Sequence, residues 1–149
     1  MKQRPIIIVT GTSGSGKTTA LAAFEDAGFY CIDNMPIQLV AHFLQSPPPA
    51  SGEDDTAGWV LGMDLRDKSL LAHYDALMSD MTQQGYLVKT VFLDADEQVL
   101  LRRYNQTRRH HPLGRRGSLL DAIREEKRQL RPLRDTAAYT IDTSRHSIH

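Results

Sequence analysis

The stretch that decides the fold reads GTSGSGKT. It fits the phosphate-loop pattern, which is glycine, any four residues, glycine, lysine and then serine or threonine. A β-branched run at residues 6–9 precedes it, and apolar residues at helical spacing follow it. The pattern therefore predicts a strand, a phosphate-binding loop and a helix, and the loop residues are Gly11, Thr12, Ser13, Gly14, Ser15, Gly16, Lys17 and Thr18.

The physical chemistry of polyphosphate binding explains why these residue types are needed. A loop between a strand and a helix lets backbone N–H groups converge on phosphate oxygens, and the helix start adds the positive end of its dipole. Glycine at 11, 14 and 16 permits positive φ and keeps Cβ atoms away from the ligand. We predict that Lys17 contacts the β and γ phosphates as a catalytic residue and that Thr18 is a ligand of Mg²⁺.

Two carboxylates follow predicted strands. Asp64 comes after the strand at 59–63 and is predicted to be catalytic and to complete the magnesium site, with a helix N-cap as the alternative. Asp33 comes after the strand at 29–32, where open α/β sheets bind ligands. For Asp33, a loop-capping role and a substrate or metal role stay open.

Basic residues are concentrated in one part of a chain with no net charge. The sequence has 18 basic and 18 acidic side chains, and residues 102–134 hold ten arginines and one lysine against three acids. Arg102 and Arg103 are predicted to be catalytic, because a guanidinium fits the oxygens of a transferring phosphoryl group. A solvated basic helix face is the alternative. The excess also indicates a surface for the phosphates of a nucleotide or a nucleic acid.

The rest of the chain alternates between strand and helix patterns. Strands are predicted at 6–9, 29–32, 59–63, 86–93 and 138–141, and helices are predicted between them. The last helix is predicted to begin after Ser118 and to end at Pro132. The Pro- and Gly-rich stretch 46–58 is predicted to be a loop. This order predicts an α/β fold, a three-layer P-loop NTPase of the kinase-like type with a five-stranded parallel sheet.

Length and composition limit the classes of protein. The 149 residues and 40% hydrophobic content predict one water-soluble domain over 1–149. No apolar run approaches the length of a membrane span, and the amino end lacks a signal-peptide pattern. The single Cys31 cannot form an internal disulfide, so we expect a cytoplasmic protein in which this thiol is structural.

Beyond the loop, the sequence resembles the RapZ (YvcJ-like) family of bacterial nucleotide-binding proteins, also described as RNase adapter proteins. The resemblance covers nearly the whole chain. It rests on the loop and on residues 28–36 (GFYCIDNMP), 64–66 (DLR), 92–95 (FLDA), 101–104 (LRRY), 107–113 (TRRHHPL) and 141–144 (IDTS). Two features depart from the family pattern: Thr12 stands where leucine is usual, and residues 46–56 form a longer connection.

The resemblance implies a domain that binds ATP and GTP and hydrolyses them slowly. The loop would be the ATP site, and the proposed guanine-nucleotide segment consists of Asp64, Leu65, Arg66 and Asp67. Some family members act as adapters that bring a small regulatory RNA to an endonuclease, largely through a carboxyl-terminal domain that we expect to be absent from this chain. Oligomerisation is compatible with the pattern.

Two other functional classes stay open. A small-molecule kinase of the nucleoside or shikimate kinase type has a similar strand order and a basic lid, and it would need an acceptor pocket near Asp33 and Asn34. A nucleic-acid-binding module would use the basic stretch 102–134, and its affinity would fall steeply with salt.

Overall fold

The computed structural model describes residues 5–12, 14–36, 39–40, 42, 58–63, 69–107 and 119–144. The strands are β1 (Pro5–Gly11), β2 (Tyr30–Ile32), β3 (Trp59–Gly62), β4 (Leu87–Asp94) and β5 (Tyr139–Asp142). The helices are α1 (Lys17–Asp26), α2 (Ser69–Gln83), α3 (Glu97–Thr107) and α4 (Leu119–Thr136). The strands form one parallel sheet in the order β2-β3-β1-β4-β5.

Strand β1 lies at the centre of this sheet because its side chains are apolar on both faces. Ile6, Ile8 and Val9 have no exposed surface. A near-continuous run of β-branched residues is typical of a parallel strand that is covered on both sides. As a result, the carboxyl end of β1 opens at the middle of the sheet edge, where α/β folds bind ligands.

Helices cover the two faces of the sheet. On one face, Ile6, Ile8 and Phe92 pack with Met81 of α2 and Leu130 of α4. On the other face, Val9, Val60 and Val91 pack with Leu21 of α1. Both the three layers and the predicted α/β fold class are therefore confirmed, and the predicted strands match β1 to β5 to within two residues at each end.

One predicted boundary is wrong. Helix α4 does not end at Pro132 but continues to Thr136. Proline removes one N–H donor from a helix, but the side chain of Leu133 is buried in the core, and the Thr136 hydroxyl bonds the Pro132 carbonyl oxygen at 3.1 Å. Tertiary packing of this last turn outweighs the proline.

Two predictions fall mainly outside the described residues. In the helix predicted after Pro36, only Leu39, Val40 and His42 are described, and they are helical. The predicted loop at 46–58 is described only at Gly58.

Cys31 lies on β2, next to α1. Cys31 is half-buried and its Sγ lies 3.4 Å from the Leu21 carbonyl oxygen. Burial, together with the charge of Glu25, raises the pKa of this thiol and so favours its protonated form. None of the helices in the described part of the chain combines the length and the hydrophobicity that a membrane crossing requires.

Candidate phosphate-binding site

The loop after β1 has a backbone that only glycine can adopt at two key positions. At Gly11, φ is 156°, and a Cβ atom would lie 2.2 Å from the Leu93 carbonyl oxygen, so any side chain would push β1 and β4 apart. At Gly16, φ is 99°, a left-handed conformation that L side chains rarely adopt. The loop therefore leaves the sheet tightly and turns sharply into α1.

The amino end of α1 is not capped by a side chain of its N-cap residue. Gly16 is the N-cap and supplies no capping side chain, and the first turn contains no acidic residue. The first N–H groups of a helix have no partner within the helix, and they carry the positive end of its dipole. A helix start of this kind can bind an anion such as phosphate.

Lys17 stands beside this helix start and faces a carboxylate. Its Nζ lies 3.6 Å from Oδ1 of Asp33, and the two side chains are 19% and 39% exposed. The structure therefore brings together the lysine of the loop and the carboxylate that follows β2. Both groups are accessible to a ligand at the mouth of the loop.

Asp33 is held in place by its surroundings. Its Oδ1 accepts a hydrogen bond of 2.7 Å from the Asn34 backbone N–H. A Cβ atom on Gly62 would lie 2.6 Å from the same oxygen, so the absence of a side chain at Gly62 makes room for the carboxylate. Asn34 has a φ of 55°, a turn conformation that asparagine tolerates better than most residues.

Arg103 of α3 contacts the back of the loop. Its Nη1 donates to the Gly14 carbonyl oxygen at 3.0 Å, and its Nη2 donates to the Thr143 carbonyl oxygen at 2.6 Å. The residue is only 8% exposed. Burial lowers the pKa of its guanidinium and the nearby Asp142 opposes that effect.

Thr143, directly after β5, also contacts the loop. Its hydroxyl donates to the Ser15 carbonyl oxygen at 2.6 Å and accepts from Arg103 Nη1 at 3.1 Å. Its backbone N–H donates to the Asp94 carbonyl oxygen at 2.8 Å. Motif analysis did not assign Thr143 a role; the only sequence signal was its place in the family-like stretch at 141–144.

Asp94, at the carboxyl end of β4, was also missed as a site residue. Its Oδ1 accepts the Ala95 N–H at 2.9 Å and lies 3.1 Å from the Lys127 ammonium. The Thr12 hydroxyl is 3.5 Å from the same oxygen. The carboxylate therefore links the loop to α4.

The family of the chain follows from its sequence as a whole. The profile of the RapZ-like N-terminal domain matches residues 5–149. This chain belongs to the RapZ-like family.

Relatives of this RapZ-like domain carry a common description. A nucleotide-binding protein from Desulfosudis oleivorans is 48% identical over 150 residues, and one from Desulforapulum autotrophicum is 44% identical over 149 residues. In both comparisons the alignment covers 100% of this chain and 50% of the relative. The RapZ-like domain thus spans about half the length of the curated relatives it matches.

Solved structures with the same fold are P-loop kinases. A shikimate kinase from Acinetobacter baumannii in complex with shikimate superimposes with a TM-score of 0.61 at 20% identity, covering 97% of this chain and 87% of the other. Shikimate kinase from Bacteroides thetaiotaomicron superimposes with a TM-score of 0.60 at 24% identity, covering 92% of this chain and 85% of the other. At these identities the likeness shows the fold alone, and it confirms the kinase-like P-loop architecture.

Other predicted site residues of the RapZ-like domain are placed as follows. Thr18 is exposed in the first turn of α1, and Arg102 is exposed on α3. The Ser13 position and the predicted metal and guanine segment at 64–67 lie outside the described residues. The structure thus joins Lys17 to Asp33, and the pairing of Thr18 with Asp64 stays a prediction.

The basic stretch of the RapZ-like domain is largely paired where it is described. On α4, Arg124 lies 3.1 Å from Glu97, and Arg128 lies 2.5 Å from Glu125. The contact between Arg128 and Glu125 lowers the pKa of the Glu125 carboxyl and raises the pKa of the Arg128 guanidinium. Lys127 and Arg134 both face Asp94. These cations are thus neutralised in part by the domain itself.

Proposed function

We propose that this RapZ-like domain binds a purine nucleoside triphosphate, ATP or GTP, through the loop at residues 11–18. The observation that carries the proposal is the start of α1, which no side chain caps and beside which the Lys17 ammonium stands. An uncapped helix start and an ammonium group are the two features that a polyphosphate requires. The name shared by the relatives, nucleotide-binding protein, supports the same conclusion.

The roles within the loop follow from its geometry. Backbone N–H groups at the start of α1 cradle the α and β phosphates, and Lys17 leaves Asp33 to contact the β and γ phosphates. The space around Gly16 is open to a ligand. The nearest atom to a Cβ built at this position would be the Thr143 methyl carbon, at 4.0 Å.

The donor atoms near the loop suit magnesium. The exposed Thr18 hydroxyl and the Asp33 carboxylate beside Lys17 are oxygen donors, which Mg²⁺ prefers. No cluster of three or more metal-binding side chains occurs in the described part of the chain. Mg²⁺ is usually held through one or two side chains, waters and the phosphates of its nucleotide. We assign Thr18 and Asp64 as the residues that hold it, and the ion would neutralise charge on the phosphates.

Substitution of the loop lysine tests the proposal. Lys17→Ala removes the ammonium without touching the core, and we expect Mg-ATP affinity in calorimetry to fall by roughly a hundredfold or more, since charge-assisted bonds to phosphate are strong. Lys89→Ala, an exposed lysine on the amino half of β4, is the matched control and should bind normally. Unchanged affinity in Lys17→Ala would refute the proposed site.

The choice between purines is assigned to the segment Asp64, Leu65, Arg66 and Asp67. We propose that it contacts guanine, since base recognition lies outside the phosphate loop. Asp67→Asn is expected to weaken GTP binding and leave ATP binding unchanged. Separate titrations of ATP and GTP, with and without Mg²⁺, measure this difference, and equal losses for both nucleotides would contradict the assignment.

We further propose that the domain acts as the nucleotide-responsive half of a cytoplasmic RNase adapter that regulates small-RNA decay. Support comes from the RapZ-like family match and from relatives twice as long. Hydrolysis would be slow, with Lys17, Asp64 and Arg102 around the phosphates and Arg103 acting from behind the loop. In the full-length protein, binding of a regulatory RNA or an endonuclease should differ between ATP and ADP. Identical binding with both nucleotides would exclude signalling through this domain.

A second candidate function, a small-molecule kinase, is favoured by the position of Asp33. Its partly exposed carboxylate lies 3.6 Å from Lys17, where it would accept a hydrogen bond from an acceptor hydroxyl. A screen of small hydroxylated metabolites with labelled ATP tests this reading. Transfer of phosphate to a metabolite well above the rate of hydrolysis would favour the kinase over the adapter.

A further inference from the structure

We infer that Arg103 and Thr143 together orient two peptide groups of the phosphate loop and thereby determine how tightly it holds a β-phosphate. The inference rests on the proposed binding of a nucleotide by this loop. It makes Arg103 a positioning residue, which acts through the loop backbone, and it gives Thr143 a role in ligand affinity. We call these two residues the loop brace.

The loop brace holds consecutive carbonyl groups of the loop. The Gly14 carbonyl oxygen accepts from Arg103 Nη1, and the Ser15 carbonyl oxygen accepts from the Thr143 hydroxyl at 2.6 Å. The two side chains also bond each other, since Thr143 Oγ1 accepts from the same Arg103 nitrogen. The loop is thereby fixed from α3 and from the end of β5 at once.

Fixing a carbonyl also fixes the next amide. In a trans peptide the C=O group and the following N–H group point in opposite directions, and the unit is planar. With the Ser15 carbonyl held toward Thr143, the Gly16 N–H points away from Thr143. The Ser15 N–H donates to the Thr12 carbonyl oxygen at 3.1 Å and closes the turn. The Gly16 amide therefore points out of the turn, toward the side on which a phosphate is bound.

The loop needs such an external restraint because of its composition. Gly14 and Gly16 both have positive φ, and glycine peptides change orientation at little steric cost. A loop that reorients freely would have to be ordered when the ligand binds, which weakens affinity. A brace made before binding removes that cost, since the Gly16 amide already points toward the ligand and the Ser15 amide already closes the turn.

The position of the Arg103 guanidinium excludes direct contact as its main role in this state. Its two terminal nitrogens make bonds of 3.0, 3.1 and 2.6 Å to Gly14 and Thr143, and the residue is almost fully buried. A buried guanidinium is stable only with such partners. To reach a phosphate the guanidinium would have to give up its bonds to the carbonyl groups of Gly14 and Thr143.

Thr143 offers the sharper test because a matched substitution exists. Thr143→Val keeps the shape and removes the hydroxyl, and Thr143→Ser keeps the hydroxyl. We expect Thr143→Val to weaken Mg-ADP and Mg-ATP binding roughly tenfold in calorimetry, and Thr143→Ser to bind within about twofold of the parent chain. Thr140→Val, an exposed threonine on β5, is the control and should bind normally.

A spectroscopic readout separates positioning from general stability. The ³¹P resonance of the β-phosphate of bound ADP reports the amides around it, so it should shift in Thr143→Val and not in Thr143→Ser. Arg103→Met should reproduce the effect of Thr143→Val, with Arg131→Met, an exposed arginine of α4, as its control. If Arg103→Met does not fold, the threonine pair decides alone.

The outcomes distinguish this inference from the proposed function. Normal ADP affinity in Thr143→Val, or an equal loss in Thr143→Ser, would overturn the brace while nucleotide binding stands. Weakened binding with an unshifted β-phosphate resonance would also overturn it, because the effect would then not act on the phosphate amides. Failure of the parent chain itself to bind any nucleotide would refute the proposed function, and the brace with it.

Discussion

At the scale of single residues, the pairing of Lys17 with Asp33 governs what the open site does. The ammonium and the carboxylate oxygen are 3.6 Å apart, and both side chains are in contact with solvent. An incoming polyphosphate must take Lys17 from this carboxylate, and its own negative charge is repelled by Asp33. In the proposed binding mode the ion pair therefore competes with the ligand for the Lys17 ammonium.

Removing the Asp33 charge is expected to strengthen nucleotide binding when metal is absent. Partly exposed ion pairs contribute up to about 1 kcal/mol, so Asp33→Asn should raise ATP affinity in EDTA by roughly twofold to fivefold. Asp26→Asn, which removes an exposed acid at the end of α1, matches the change in net charge and should have little effect. Calorimetry measures the ATP affinity of both variants. A weaker affinity in Asp33→Asn would contradict competition between Asp33 and the nucleotide for Lys17.

The Asp33→Asn variant also shows whether the Asp33 carboxylate helps to hold Mg²⁺. If its carboxylate holds a water of Mg²⁺, the gain seen in EDTA should reverse with Mg-ATP. A gain of the same size under both conditions would leave the metal to Thr18 and Asp64.

At the scale of elements, α4 shows where sequence patterns fail to set a boundary. Local rules end the helix at Pro132, but Leu133 is only 3% exposed and packs in the cluster that contains Ile6 and Ile8. The last turn therefore exists because of long-range packing. A pattern read from neighbouring residues contains no information about that packing.

Truncation of Leu133 tests this explanation. Leu133→Ala should lower the free energy of unfolding by about 2–4 kcal/mol, the usual cost of removing a buried leucine. Arg131→Ala, in the same turn and exposed, should change it little. Urea unfolding followed by circular dichroism measures both, and equal small losses would show that the packing of Leu133 does not hold the turn.

The candidate site also has a part that local sequence patterns predict and a part that depends on long-range contacts. The phosphate loop and the neighbouring carboxylate Asp33 could be predicted, because they are contiguous motifs at the ends of apolar strands. The contacts of Arg103 with Gly14, and of Thr143 with Ser15, join positions 89 and 128 residues apart. Only the sheet order, which sets β4 beside β1 and β5 beside β4, brings these residues together.

At the scale of the whole molecule, part of the charge of the basic stretch is paired within the domain itself. Of its eleven cations, five are engaged within the described part of the chain: Arg103, Arg124, Lys127, Arg128 and Arg134. A nucleic acid that used the whole stretch would have to displace Glu97, Asp94 and Glu125 from these partners. The surface available to RNA is therefore smaller than the sequence indicates.

The dependence of RNA affinity on salt measures how many of these cations are available. Each phosphate neutralised on a single strand contributes about 0.7 to the slope of log affinity against log salt, so six cations give a slope of roughly 4 and all eleven give roughly 8. We expect the isolated domain to bind a mixed-sequence single-stranded RNA weakly, with a slope of about 4 or less. Fluorescence anisotropy between about 50 and 200 mM salt provides the slope. A slope near 8 would mean that the ion pairs on α4 open when RNA binds. It would make nucleic-acid binding, rather than nucleotide binding, the main role of the basic stretch 102–134.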